Sequence, residues 1–166
     1  MKLSQEGLTS WGHRYEWNLG GDVTLYHDNS DGNRRLVTHL NARSGLPFED
    51  EYTDDPPSLL SPSEYKEWDD LCCGLLIKEH DIYNRIVNEL RRYVSEQAND
   101  MRKEAPGKRV ISSDEYDQLY HGAQDAIASA LSVSDEDIDS ITYEGGANII
   151  DAWLGDLLET EGYTLN

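Results

Sequence analysis

The stretch SPSEYKEWDDLCCGLLIKEHDIYNRIVNELRRYVSEQANDM, residues 61–101, decides the architecture. It opens with Ser61-Pro62-Ser63-Glu64: a hydroxyl to cap a helix, proline at the first helical position, and a carboxylate three residues after the cap. Behind it Tyr65, Trp68, Leu71, Cys72, Leu75, Leu76, Ile82, Tyr83, Ile86, Leu90, Tyr93, Val94 and Met101 recur at spacings of three and four. That spacing predicts an amphipathic helix of about 40 residues ending before Pro106-Gly107. Gly74 and the Glu79-His80-Asp81 triplet are the two places where it is expected to divide. So long a stripe (Tyr83, Ile86, Leu90, Tyr93, Val94) exceeds what one small core covers, which makes a homodimer an expected alternative to an internal helix pair.

Upstream the pattern changes to strands. His13–Leu19, Asp22–Asp28 and Arg34–Asn41 are short aromatic and β-branched runs, separated by Gly20-Gly21 and by the turn-forming run from Asn29 to Asn33. They predict a three-stranded antiparallel meander. Val23 and Leu25 alternate with Thr24 and Tyr26, and Leu36, Thr38 and Leu40 alternate with Val37 and His39, so one face goes to a core. Three strands are marginal alone, and a helix is expected to cover them. Residues 46–60, with three prolines and five carboxylates, read as an acidic linker in which Pro56-Pro57 breaks helix and sheet alike.

Downstream, Ser113 with Asp114 and Glu115 starts a second helix carrying Tyr116, Leu119, Tyr120, Ala123, Ile127, Ala130 and Leu131. Ser134 starts a short acidic one that Gly145-Gly146 should close. A last helix is expected over 147–160, with Gly162 as its stop. The expected fold is therefore α+β, with an N-terminal three-stranded antiparallel sheet packed on a C-terminal bundle of four or five helices. It reads as one domain: a meander over 1–45, the linker over 46–60 and a helical part over 61–166.

With 166 residues and 37% apolar content, the chain has enough bulk, including four Trp and ten Tyr, to bury a core. No run approaches a membrane span and no secretion signal opens the chain, so a cytoplasmic protein is expected. Adjacent Cys72 and Cys73 cannot staple a fold, and the expectation is two small buried side chains in a reducing compartment.

Charge is the strongest functional signal. The net charge is −19, from 33 acids and 14 bases. Residues 1–48 are neutral, residues 49–70 carry nine acids against Lys66, and residues 71–109 are slightly basic. Residues 110–166 hold thirteen acids and neither lysine nor arginine. Acids in that stretch have no local base to pair with, so they are solvated, metal-bound or directed at a cationic partner. Such a chain repels nucleic acid and anionic membranes, and neither is expected as a direct partner.

Catalytic and metal motifs are weak. Asp135-x-Asp137-x-Asp139 has calcium-like spacing, but Ser140 stands where the loop needs Gly and Gly146 where it needs Glu. Asp28-Asn29-Ser30-Asp31-Gly32 reads as a turn. His13, His27 and His39 could meet across neighbouring strands as a zinc site. No nucleophile elbow, phosphate loop or dinucleotide fingerprint occurs, so no enzyme and no cofactor is expected.

What remains is the geometry of the acids. Carboxylates at i, i+3 and i+4 on a helix stand roughly 5–6 Å apart, against roughly 7 Å between phosphates on one DNA strand, so an acidic helix face approximates a phosphate row. Candidate partner-binding residues are Asp114, Asp117, Asp125, Asp135, Asp137, Asp139, Glu144, Asp151, Asp156 and Glu159. Glu161 extends the set, and Asp54, Asp55, Glu64, Glu67, Asp69 and Asp70 form another cluster. In size, charge, aromatic content and lack of catalytic residues the chain resembles the small acidic inhibitors of phages and mobile elements. The resemblance implies a non-catalytic DNA mimic, an anti-restriction or anti-CRISPR protein that occupies the groove of a basic nucleic-acid-binding protein or nuclease complex. An immunity protein or antitoxin against a basic nuclease is the alternative. A halophilic housekeeping protein is a third, since Asp exceeds Glu and Arg exceeds Lys. The bases Arg85, Arg91, Arg92, Arg102, Lys103, Lys108 and Arg109 depart from the pattern and are expected to pair with the acidic tail or to form a contact of their own.

Overall fold

A computed structural model of the chain describes residues 2–19, 22–27, 34–40, 49–52, 60–134, 136–138 and 149–166. The strands are β1 (Ser4–Leu8), β2 (Arg14–Asn18), β3 (Asp22–His27), β4 (Arg34–His39), β5 (Glu49–Tyr52), β6 (Val110–Ile111) and β7 (Thr164–Leu165). The helices are α1 (Pro62–Glu104), α2 (Ser113–Leu131), a short α3 described over 136–138, and α4 (Ile149–Thr160). The class is mixed α+β, an N-terminal antiparallel sheet followed by helices. Two compact units are formed, residues 2–83 and 84–166, with the boundary inside α1. No helix among the described residues is long and apolar enough to cross a membrane.

In the N-terminal unit the sheet is a meander of five antiparallel strands in the order β1-β2-β3-β4-β5, two more than the sequence pattern indicates. Its inner face is built from cross-strand rows. Tyr15, Leu25 and Leu36 stand opposite one another, as do Trp17, Val23 and Thr38, and all six are buried. The covering layer is the first half of α1, where Trp68, Cys72, Leu75, Glu79 and Ile82 are buried at alternating spacings of four and three. Two indoles join the layers: Trp68 Nε1 donates to Thr38 Oγ1 at 2.9 Å and Trp17 Nε1 to Glu79 Oε1 at 2.8 Å.

Both extra strands are edges. β1, SQEGL, offers only Leu8 as an apolar residue, and Leu8 is exposed. Gly7 pairs with Tyr15, and a Cβ there would lie 2.8 Å from the tyrosine ring, so the missing side chain lets the ring lie across the strand. β5 falls inside the expected acidic linker, pairing Glu49 with His39 and Tyr52 with Leu36. An edge strand needs its backbone paired on one side only, and charge suits that position; composition alone hid it.

The register also corrects the histidine site. His27 pairs with Arg34 and His39 with Asp22, so these histidines lie at opposite ends of the β3–β4 pair, five residues or roughly 17 Å apart. One zinc ion cannot bridge that distance.

Helix α1 starts as expected, with Glu64 N donating to Ser61 Oγ and Ser61 N to Glu64 Oε2. It runs unbroken through Gly74 and Glu79-His80-Asp81 to Glu104. A glycine in a helix costs only about 1 kcal/mol, which burial on both sides of Gly74 outweighs. Cys72 is buried but Cys73 is exposed, contrary to the expected buried pair, because successive helical side chains point about 100° apart. Desolvation, then the charges of Asp69 and Asp70, push the Cys73 thiol up, which keeps it a poor nucleophile. Tyr83, Ile86, Leu90 and Val94 of the stripe are buried by the chain itself, and Tyr93 is half-buried.

In the C-terminal unit the second half of α1 meets α2 and α4. Buried Ile86, Leu90, Val94 and Ala98 belong to α1, Leu119, Ala123, Ile127 and Leu131 to α2, and Ile150, Leu154 and Leu158 to α4. The α2 cap is Ser112, one residue before the expected Ser113; its hydroxyl accepts from Glu115 N at 3.2 Å. Gly162, at φ +95°, ends α4 as expected. The chain then returns to pair β7 with β6 in parallel, Val110 opposite Thr164 and Ile111 opposite Leu165.

Tyr93 of α1 lies against Gly122 of α2: a Cβ there would overlap the tyrosine hydroxyl and lie 3.0 Å from Cζ. Gly122→Ala should therefore destabilise the protein in urea unfolding, although alanine normally gains about 1 kcal/mol in a helix. Adding Tyr93→Phe, which removes the nearest atom, should recover part of the loss. A simple gain in stability from Gly122→Ala would show that the tyrosine does not stand against this turn.

Candidate acidic interface

Because α2 buries Leu119, Ala123, Gln124, Ile127, Ala128 and Leu131, the 3.6-residue period turns Asp114, Asp117, His121 and Asp125 outward, and all four are exposed. Asp117, His121 and Asp125 follow at i, i+4 and i+8, a line about 12 Å long with a histidine at its centre. Asp114 lies one turn before Asp117. α4 behaves the same way: burial of Ile150, Leu154 and Leu158 leaves Asp151, Asp156 and Glu159 exposed.

A tyrosine connects the two acidic helices. Tyr116 of α2 donates its hydroxyl to the Asp151 carboxylate of α4. Partial burial, that hydrogen bond and the charges of Asp151 and Asp117 together raise the Tyr116 phenol well above its ordinary value, so it stays a protonated donor. Tyr93 is also raised, by burial first and then by Asp125. Asp151 is thus joined to α2 through Tyr116, and the charges of Asp117 and Asp125 act on Tyr116 and Tyr93. Asp156 and Glu159 lie further along α4, one turn from each other.

Ser134 caps the short helix α3, its Oγ accepting from Asp137 N at 3.1 Å, and the Asp137 carboxylate reaches back to accept from Ser134 N. It is exposed all the same. Asp135, Asp139 and Glu144 lie outside the described residues, and with Asp135 and Asp139 most of the calcium-like Asp135-x-Asp137-x-Asp139 loop. Among the described residues no group of three His, Cys, Asp or Glu is placed to hold a metal ion.

Basic residues neutralise little of this face. Lys108 pairs with Glu115 and Arg102 with Glu161, both reaching from the basic segment to the base-free tail as expected. The bond from Lys108 is the main reason the Glu115 carboxyl lies below its usual range. Arg92 instead bridges Glu89 and Glu96 along α1. Asp114, Asp117, Asp125, Glu136, Asp137, Asp156 and Glu159 are exposed and form no ion pair with a described base.

No protein-family model, no curated protein and no solved structure matches the chain.

In the other acidic cluster Glu64 and Glu67 are structural, and Asp54 and Asp55 lie outside the described residues. Glu64 belongs to the α1 cap. Glu67 accepts from Ser10 N at 3.1 Å, Ser10 Oγ at 2.6 Å and Trp11 Nε1 at 3.1 Å, tying the β1–β2 turn to α1. Those bonds depend on contacts 56 and 57 residues apart in sequence, which no local pattern announces. Glu79 occupies a stripe position between Leu75 and Ile82, where a polar residue implies a buried, partnered side chain.

Proposed function

We propose that this protein is a non-catalytic acidic inhibitor that occupies the nucleic-acid-binding groove of a basic target protein. One observation carries the reading: α2 and α4, held together through Tyr116 and Asp151, turn outward carboxylates that pair with no described base. Solvated acids of this kind create a strong negative potential, and Asp114 with Asp117, like Asp156 with Glu159, stands one helical turn apart, near the spacing of phosphates. The tyrosine hydroxyl adds an ordered polar group beside Asp151. Nothing in this arrangement calls for bond-making chemistry; its affinity would come from charge and shape.

Such an interface forms quickly and is sensitive to salt, because the charges on both sides are solvated before they meet. With the target captured from host lysate and purified, its affinity for this protein should fall at least tenfold between about 50 and 200 mM salt, as the screening length shortens. Measurement by surface plasmon resonance should place part of the loss in the association rate. An affinity that does not change with salt would contradict an electrostatic groove mimic and favour an apolar contact.

A further inference from the structure

The two edges of the N-terminal sheet differ in charge. β5 carries Glu49, Asp50 and Glu51 within four residues, so a second copy laid against it would set acid against acid. The β1 edge is neutral: residues 2–19 hold two acids, Glu6 and Glu16, and two bases, Lys2 and Arg14, and Arg14 pairs with Glu16. In a chain of net charge −19, this is a place where a second copy can approach without local repulsion.

The ladder shows which backbone groups that edge offers. Leu19 N donates to Leu3 O at 2.8 Å and Thr9 N to His13 O at 2.9 Å, so the odd-numbered residues from Leu3 to Thr9 direct their N–H and C=O groups at β2. The even-numbered Ser4, Glu6 and Leu8 direct theirs the other way, and among the described residues β1 pairs with no strand but β2. Lys2, Ser4, Glu6 and Leu8 are all exposed, Leu8 by 71%. Such a row is a template for one more strand.

Charge then selects the register. Across a two-fold antiparallel contact at this edge, even-numbered residues must face even-numbered ones to exchange hydrogen bonds. Glu6 opposite Glu6 of a second copy brings two carboxylates together, and Ser4 opposite Glu6 sets Lys2 against Leu8. Ser4 opposite Ser4 of the second copy sets Lys2 against Glu6 twice, once on each side of the axis, and opposite charges directly across a strand pair attract. We propose that β1 is a self-association edge, pairing antiparallel with β1 of a second copy about Ser4 and joining two five-stranded sheets into one. One strand pair buries little surface, so the dimer is weak and exchanges rapidly. It does not rest on the inhibitor reading, which a monomer satisfies.

The test is sedimentation equilibrium of the untagged full chain from about 10 µM to about 1 mM, where a reversible monomer–dimer equilibrium with a Kd of roughly 10–500 µM is expected. Lys2→Glu and Glu6→Lys should each weaken the dimer roughly tenfold, because each sets like charges opposite one another at both pairs. Lys2→Glu combined with Glu6→Lys puts opposite charges back across the axis and should return the Kd to near its starting value. Ser4→Pro removes the outward N–H at the axis and leaves the bonds to β2 in place, so it should abolish the dimer with the circular dichroism unchanged. A chain that stays monomeric at about 1 mM, a dimer that none of these substitutions weakens, or a double variant as weak as the single ones would overturn the proposal.

Discussion

Reversing Asp114, Asp117 and Asp125 together to lysine should weaken competition with the target's nucleic acid by at least a hundredfold. The three exposed acids line one face of α2, and their reversal turns a negative row positive where the partner is proposed to be positive. Each reversed contact exchanges attraction for repulsion across an interface that excludes water, so the effect of the set exceeds that of a surface ion pair, usually worth about 0–1 kcal/mol. Folding should change little: Asp114 alone lies in the first turn of α2, where losing a carboxylate costs about 0.3–1 kcal/mol through the helix dipole. A control separates place from total charge. Glu6, Asp81 and Asp100 are also exposed, and reversing those three shifts the net charge of −19 by the same amount. The control should retain most of the inhibition. Equal losses in both variants would mean that bulk charge, and not the α2 face, governs binding.

Trp17→Ala is expected to be the most damaging single substitution in the N-terminal unit, costing about 3–5 kcal/mol or more in urea unfolding followed by circular dichroism. The side chain is 1% exposed and fills the inner face of the sheet, and a Trp-to-Ala truncation of that kind costs about 3–5 kcal/mol through lost burial and a cavity. Its indole also donates to Glu79, itself 1% exposed, so the variant leaves a buried carboxylate one hydrogen bond short. Against a typical total of about 5–15 kcal/mol, that loss is enough to unfold a marginal protein. Trp17→Phe separates the two effects: it keeps an aromatic ring and removes the N–H, so the expected cost is about 1.5–3 kcal/mol. Glu79→Gln, which keeps an acceptor oxygen at the same reach, should cost less than Trp17→Phe. If Trp17→Ala were tolerated, the indole would not be the link between sheet and helix that the structure describes.

The contrast between Glu67 and Ser61 shows which part of the fold the sequence carries. Ser61 and Glu64 are three residues apart, and their reciprocal capping is readable as text, as are the α1 stripe and the alternation of Val23 and Leu25. Glu67 is held by Ser10 and Trp11, and Glu79 by Trp17; those bonds exist only after the sheet has met the helix. Edge strands fall between the two cases. β1 and β5 are polar or acidic, and what makes them strands is backbone pairing to a neighbour, with Gly7 yielding its face to Tyr15.

The acidic face was partly readable for the same reason. Helical period alone places Asp114, Asp117 and Asp125 opposite the Leu119 and Ile127 stripe. That Asp151 would join them through Tyr116, and that Lys108 and Arg102 would withdraw Glu115 and Glu161, are facts of packing between elements.

The most direct test of the central claim is a competition measurement. A fixed amount of the captured target, saturated with labelled DNA or RNA of its own preference, is titrated with this protein while bound nucleic acid is followed by fluorescence anisotropy. Stoichiometric displacement, lost in the Asp114, Asp117 and Asp125 reversal, is the predicted result. A target that binds this protein and its nucleic acid at the same time, each with undiminished affinity, would contradict the account.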